Sequence, residues 1–92
     1  LSNRGLSHMA LGMHERAYAD FTRSIELDPE DAPLYFWRAC ALILQHDHDA
    51  ALRDLRRALD LSDEIVPWLD QEPTLDPLRP DPRFKALLRP AE

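Results

Sequence analysis

"AYADFTRSIELDP" occupies residues 17–29, and "ALRDLRRALDLSD" occupies residues 51–63. Sliding the chain by 34 positions lays the first stretch on the second. Ala17 falls on Ala51, Asp20 on Asp54, Arg23 on Arg57 and Leu27 on Leu61. Phe21, Ser24 and Ile25 meet Leu55, Ala58 and Leu59. The same shift carries Gly5 to Ala39 and His14 to His48. Small residues meet small ones, and large apolar residues meet large apolar ones. Repetition at a fixed period of this length marks a stacked array, in which each unit buries an apolar face on its neighbour.

The period inside each copy is helical. Ala17, Phe21, Ser24 and Ile25 share one face at three- and four-residue spacing. Punctuation then predicts four helices. The first covers roughly 1–11 and ends near Gly12, and the second runs from about Glu15 to Leu27. Pro29 cannot continue it, because proline lacks the N–H and clashes with the preceding turn. Asp31 is placed to cap a third helix over about 32–45, with Pro33 in its first turn, where a missing N–H costs little. Asp47 is placed to cap a fourth over about 48–61. Short loops between them make successive helices antiparallel neighbours.

Residues 62–92 differ in composition. They hold six of the eight prolines. In the repeat register Pro67 follows Pro33 and Leu69 follows Tyr35, but Pro73 falls where Ala39 stood. A third unit therefore starts, makes about two helical turns around Trp68, and stops. Asp76-Pro77 and Asp81-Pro82 each have the form of an N-cap with proline at the first helical position. The second opens a short final helix with Phe84, Leu87 and Leu88 on one face.

These residues resemble the tetratricopeptide repeat family. The first unit begins at Leu1 without the first positions of the family unit and carries Gly5, Gly12, Ala17, Phe21, Ser24 and Pro29 at family positions. The second carries Tyr35, Ala39, Leu42, Ala51, Leu55 and Ala58. The resemblance covers residues 1–63. His8 departs from a large apolar residue, and Asp63 stands in place of the closing proline. The tail "LDPLRPDPRFKALL" is similar to segments that close such arrays in bacterial proteins. The resemblance implies an all-α fold: two antiparallel helix hairpins of a right-handed solenoid plus a short helical C-terminal cap. The expected units are 1–29, 30–63, and a partial third helix with capping tail over 64–92. Opening at Leu1 rather than Met fits the end of a longer array.

Composition narrows the function. Hydrophobic residues make up 45% of the 92-residue chain, enough for a core, although a chain this short buries a modest share of its surface. The formal net charge of −6 argues against duplex nucleic acid, where neutralising phosphates supplies most non-specific affinity. No apolar run is long enough to span a bilayer, and no N-terminal stretch has the form of a secretory signal. The single cysteine, Cys40, excludes an internal disulfide and fits a reducing, cytoplasmic compartment.

No stretch carries a catalytic constellation. There is no Gly-rich phosphate loop, no GxSxG and no HExxH. "HDHD" at residues 46–49 offers metal-ligand types, but residues two apart on a helix do not face each other, and Asp47 already has a capping role. His14 and His48 read as packing at the core edge. Cys40 lies between Ala39 and Ala41, and apolar surroundings make a thiol a poor nucleophile. Arg53, Arg56 and Arg57 form a basic stripe diluted by Asp54 and Asp60, which reads as a solvated face. The sequence thus implies no enzyme activity, no metal and no cofactor.

The helix from Ala32 is the informative element. The resemblance implies that the first helix of each unit lines a concave groove, here with Pro33, Phe36, Trp37, Cys40, Ile43 and Leu44, joined by Leu6 and Met9 from the first unit. With Tyr35, Ala39 and Leu42 on the opposite face, this helix is apolar almost all round and expects burial on every side. The charged clamp with which some family members hold a C-terminal carboxylate is absent, since Ser2, Asn3, Leu6, Phe36 and Trp37 fill its positions. The expected function is a non-catalytic scaffold module that binds an apolar or amphipathic protein segment or peptide in the groove. The alternative is a structural array terminus or self-association unit, its groove filled by its own tail or a second copy.

Overall fold

The computed structural model describes residues 12–87. The helices are α1 (His14–Leu27), α2 (Ala32–Leu44), α3 (His48–Leu61), α4 (Val66–Gln71) and α5 (Pro82–Leu87). Two 3-10 segments, Asp63–Ile65 and Pro73–Leu78, flank α4. No strand occurs among the described residues, and the architecture is all-α. The helix expected over 1–11, with Gly5 and His8, lies outside them, as does Leu88.

Helix α2 is the hub. It packs against α1, against α3 and against both 3-10 segments, while α5 returns onto α3. Its near-continuous apolar sequence follows from that position: nine of its residues, from Ala32 to Ile43, are buried. Small residues sit where helices approach most closely, and Ala17, Ala39, Ala51 and Ala58 are fully buried. Ser24, also buried, satisfies its hydroxyl by donating to the carbonyl of Asp20 at 3.0 Å, one turn back.

The helix ends follow local chemistry. Asp47 accepts the N–H of Ala50 at 3.3 Å, the capping role its sequence position predicts. Asp31 occupies the N-cap position of α2, but its side chain makes no capping bond. The turn is closed instead by its main-chain carbonyl, which accepts from Leu34 at 3.2 Å. Helix α2 ends in a Schellman motif: the N–H of His46 donates to Ile43 and that of Asp47 to Leu42, both at 2.9 Å. This places His46 in the left-handed region at φ 65°, and Gly12, its counterpart in the repeat, lies there too at φ 79°.

The tail departs from one expectation. Asp76-Pro77 opens no helix. Pro77 lies inside the 3-10 segment, which Glu72 begins by accepting from the Thr74 N–H at 3.2 Å. A helix with three residues per turn tolerates these closely spaced prolines where an α-helix loses its ladder. Asp76 instead pairs with Arg79 at 2.7 Å. Asp81-Pro82 does open α5: Asp81 accepts the Arg83 N–H at 2.8 Å, and hydrogen bonds from Arg83 hold its carboxyl below the usual carboxylate range.

Candidate partner-binding site

The groove residues expected on α2 fall into two groups. Phe36, Cys40 and Ile43 are buried, whereas Pro33 and Trp37 are half-buried and Leu44 is exposed. Leu6 and Met9 lie outside the described residues. The cover comes from the chain itself. The 3-10 segment Pro73–Leu78 packs on α2, and its Leu75 and Leu78 join Phe36 and Cys40 in one core cluster, each fully buried. The Cys40 thiol pKa is pushed far up, first by burial and then by the nearby negative charge of Glu72. A thiol so placed is no nucleophile at neutral pH.

Arg79 fastens this cover. Its guanidinium donates to the carbonyl oxygens of Leu69 at 3.1 Å, Asp70 at 3.3 Å and Glu72 at 3.0 Å. Leu69 and Asp70 lie in the last turn of α4, whose carbonyls lack helical partners, and a cation there also meets the negative end of the helix dipole. The chain therefore turns at Glu72 and runs back across α2.

One part of the groove stays open. Trp68 on α4 stands over Phe36, ring centroids 5.4 Å apart at 76°, and Trp37 packs edge-on to Phe36 at 5.0 Å. The two indoles are 6.5 Å apart and tilted by 37°. Beside them lies a pocket of about 260 Å³ lined by Phe36, Trp37, Trp68, Gln71 and Glu72. Phe36 is its buried floor, and the two tryptophans are partly in water. Trp68, Gln71 and Glu72 belong to the partial third unit, where no groove position was expected from sequence.

A second cluster lies away from the groove. Asp54 is buried on α3 and takes a bidentate pair from Arg38 on α2, Nη2 to Oδ1 at 2.7 Å and Nε to Oδ2 at 2.8 Å. The Asp54 hydrogen bonds raise the Arg38 pKa further, against the opposing effect of burial. Arg38 also lies over the rings of Tyr18 and Tyr35 at 5.7 and 5.6 Å. It reaches Thr22 Oγ1 at 3.4 Å. One side chain thus joins α1, α2 and α3. Asp54 is therefore no diluent of the arginine stripe. A sequence signal for the pair exists: the shift that takes Asp20 to Asp54 takes Arg4 to Arg38.

Arg53, Arg56 and Arg57 are exposed on α3, and Arg56 pairs with Asp60 at 3.4 Å. In "HDHD", His46 forms the left-handed turn, Asp47 caps α3 and Asp49 pairs with Arg83 at 2.7 Å. These three residues serve separate ends. Among the described residues no group of three or more His, Cys, Asp or Glu is arranged to hold a metal ion. No helix among them is long and apolar enough to cross a membrane.

Models of the tetratricopeptide repeat match residues 1–31 and 21–53. The chain belongs to the tetratricopeptide repeat family. The matched stretch covers α1, α2 and the start of α3, so the hub helix with its groove residues lies within it. Tetratricopeptide repeats generally mediate protein–protein interaction. The matches end before the tail that supplies Trp68 and Glu72. No curated protein and no solved structure shows significant similarity to the chain.

Proposed function

We propose that this tetratricopeptide chain is a non-catalytic interaction module of the cytoplasm that takes an apolar or amphipathic peptide, with no cofactor and no nucleic acid. In this reading residues 1–29 and 30–63 are its two repeats, and 64–92 a partial third helix with a capping tail. The partner lies along Trp37, Leu44 and the exposed edge of Trp68 and seats one side chain in the adjoining pocket. The observation that carries the reading is the open aromatic pocket on α2. Its rings are already held against one another, so a partner orders little on binding. Aromatic anchors in such pockets concentrate binding energy, about 2–4 kcal/mol each on truncation.

The test is selection of a displayed random peptide library on the wild-type chain, followed by affinity measurements on Trp37→Ala and Trp68→Ala. Selected peptides should share a spaced apolar pattern and bind each variant at least tenfold more weakly. The thermal midpoints should fall only slightly, because both rings are partly in water. Peptides that bind Trp68→Ala as well as wild type would remove the pocket from the site.

A specific observation also favours a second reading, a structural array terminus. The tail already covers Cys40 and packs on the groove face of α2, the arrangement of a solenoid closed by its own chain. Mass measurement in solution separates this from self-association: a closed terminus stays monomeric at all concentrations, and a self-associating unit does not.

A further inference from the structure

We propose that the pocket walled by Phe36, Trp37 and Trp68 and edged by Glu72 receives a cationic side chain, Lys or Arg, from an amphipathic partner peptide. The inference rests on the reading of this pocket as a peptide site and specifies its chemistry.

The walls come first. Three aromatic rings border one cavity, and the indoles of Trp37 and Trp68 remain partly accessible. Indole presents the strongest negative face among the aromatic side chains and attracts a cation placed within about 6 Å of the ring centroid. The chain already uses this contact internally, where the Arg38 guanidinium lies over two tyrosine rings.

The rim adds a charge of the right sign. Among the described residues, Glu72 is the only ionisable one lining the pocket. Its Oε2 accepts from the Thr74 N–H at 3.2 Å and from the Thr74 hydroxyl at 2.9 Å. The carboxylate is therefore held in place before any partner arrives. Its Oε1 accepts no hydrogen bond from a described residue and keeps its capacity for a donor. Gln71 lines the same pocket with an amide, and among the described residues no cation does. A neutral apolar side chain would satisfy the rings and leave the carboxylate beside it desolvated. An acidic one would meet Glu72 with like charge. A lysine or arginine satisfies both, laying its apolar stem on the indoles and its charge at the carboxylate. The net charge of −6 draws a basic partner from a distance as well.

The experiment uses four blocked amino acids, the N-acetyl methylamides of lysine, trimethyl-lysine, norleucine and glutamate. Each is titrated into the full chain while the indole Nε1–H signals of Trp37 and Trp68 are followed by NMR. The lysine and trimethyl-lysine probes should bind about tenfold more tightly than norleucine, and glutamate should not bind. The lysine advantage should shrink as salt is raised, since a carboxylate at a pocket mouth is partly screened. Glu72→Gln should bring lysine to the level of norleucine. The glutamine oxygen can still accept from Thr74, so the fold should hold. The salt series on the unaltered chain gives the same decision without a variant. Norleucine binding as tightly as lysine, with no salt dependence, would overturn the cation inference and leave the apolar peptide site standing. Absence of any indole shift with every probe would overturn both.

Discussion

His46 is the only non-glycine with positive φ among the described residues, at 65°. A left-handed conformation costs a side-chain-bearing residue about 1–2 kcal/mol, and glycine escapes it. Part of that gain is lost to the extra freedom of glycine in the unfolded chain. His46→Gly should therefore stabilise the protein by about 0.5–1 kcal/mol, read as a higher denaturant midpoint. The reverse change at the equivalent Gly12, Gly12→Ala, should lower it by a similar amount, although a Cβ there would meet no atom within 4 Å. Arg38 and Asp54 give a larger effect. Their side chains are 18% and 10% exposed, so Asp54→Ala strands a largely dehydrated guanidinium. A loss of about 3 kcal/mol is expected, and Arg38→Met with Asp54→Leu should recover part of it by removing both charges. Cys40 supplies a pH dependence. The folded state favours its neutral thiol, so the stability this contributes is complete below the unfolded thiol pKa of about 8.5 and is lost as pH rises above it. Midpoints measured from pH 7 to 10 should fall more steeply for the wild type than for Cys40→Ala.

At the scale of elements, α1 to α3 were legible and the tail was only partly so. The repeat fixes α1 to α3 because small residues recur where helices cross and large ones where they interdigitate. Ala17 with Ala51 and Phe21 with Leu55 carry that information locally. The turn at Glu72 depends on contacts no period records: three carbonyls at the end of α4 converging on Arg79. The pocket was half visible for the same reason. Phe36 and Trp37 lie on the second repeat, whereas Trp68 and Glu72 come from the partial third unit, whose packing on α2 no period records. Asp76-Pro77 reads locally as a helix start, yet Glu72 and Pro73 begin a 3-10 segment first and consume that position. Arg79→Met keeps the apolar stem and removes all the donated bonds. It should cost about 1–2 kcal/mol, a discount on charged hydrogen bonds for a side chain one-third exposed. Hydrogen exchange should speed up first in residues 69–78, with α1 to α3 protected. Uniform acceleration along the chain would mean that Arg79 supports global packing instead.

At the scale of the molecule, α1 to α3 face the problem that the outer apolar surface of α2 has no neighbour among them. The tail answers it. Ile65, Leu69, Leu75, Leu78 and Phe84 are each at most 1% exposed, and all lie beyond the second copy of the repeat. Burying one such side chain is worth about 1.5–3 kcal/mol, against a total stability of about 5–15 kcal/mol for a domain. Ordering the tail offsets part of this, but cutting it away also uncovers Phe36 and Cys40. Both losses fall on α2, the helix that α1 and α3 depend on, so they should not remain local. A chain ending at Ser62 should lack the cooperative thermal transition expected of residues 1–92 and keep only partial helicity by circular dichroism. Its denaturant transition should be broad, with a smaller dependence on denaturant concentration because less surface is exposed on unfolding. An equally sharp transition at an unchanged midpoint would show that residues 1–62 hold themselves together, and that the tail covers α2 without supporting it.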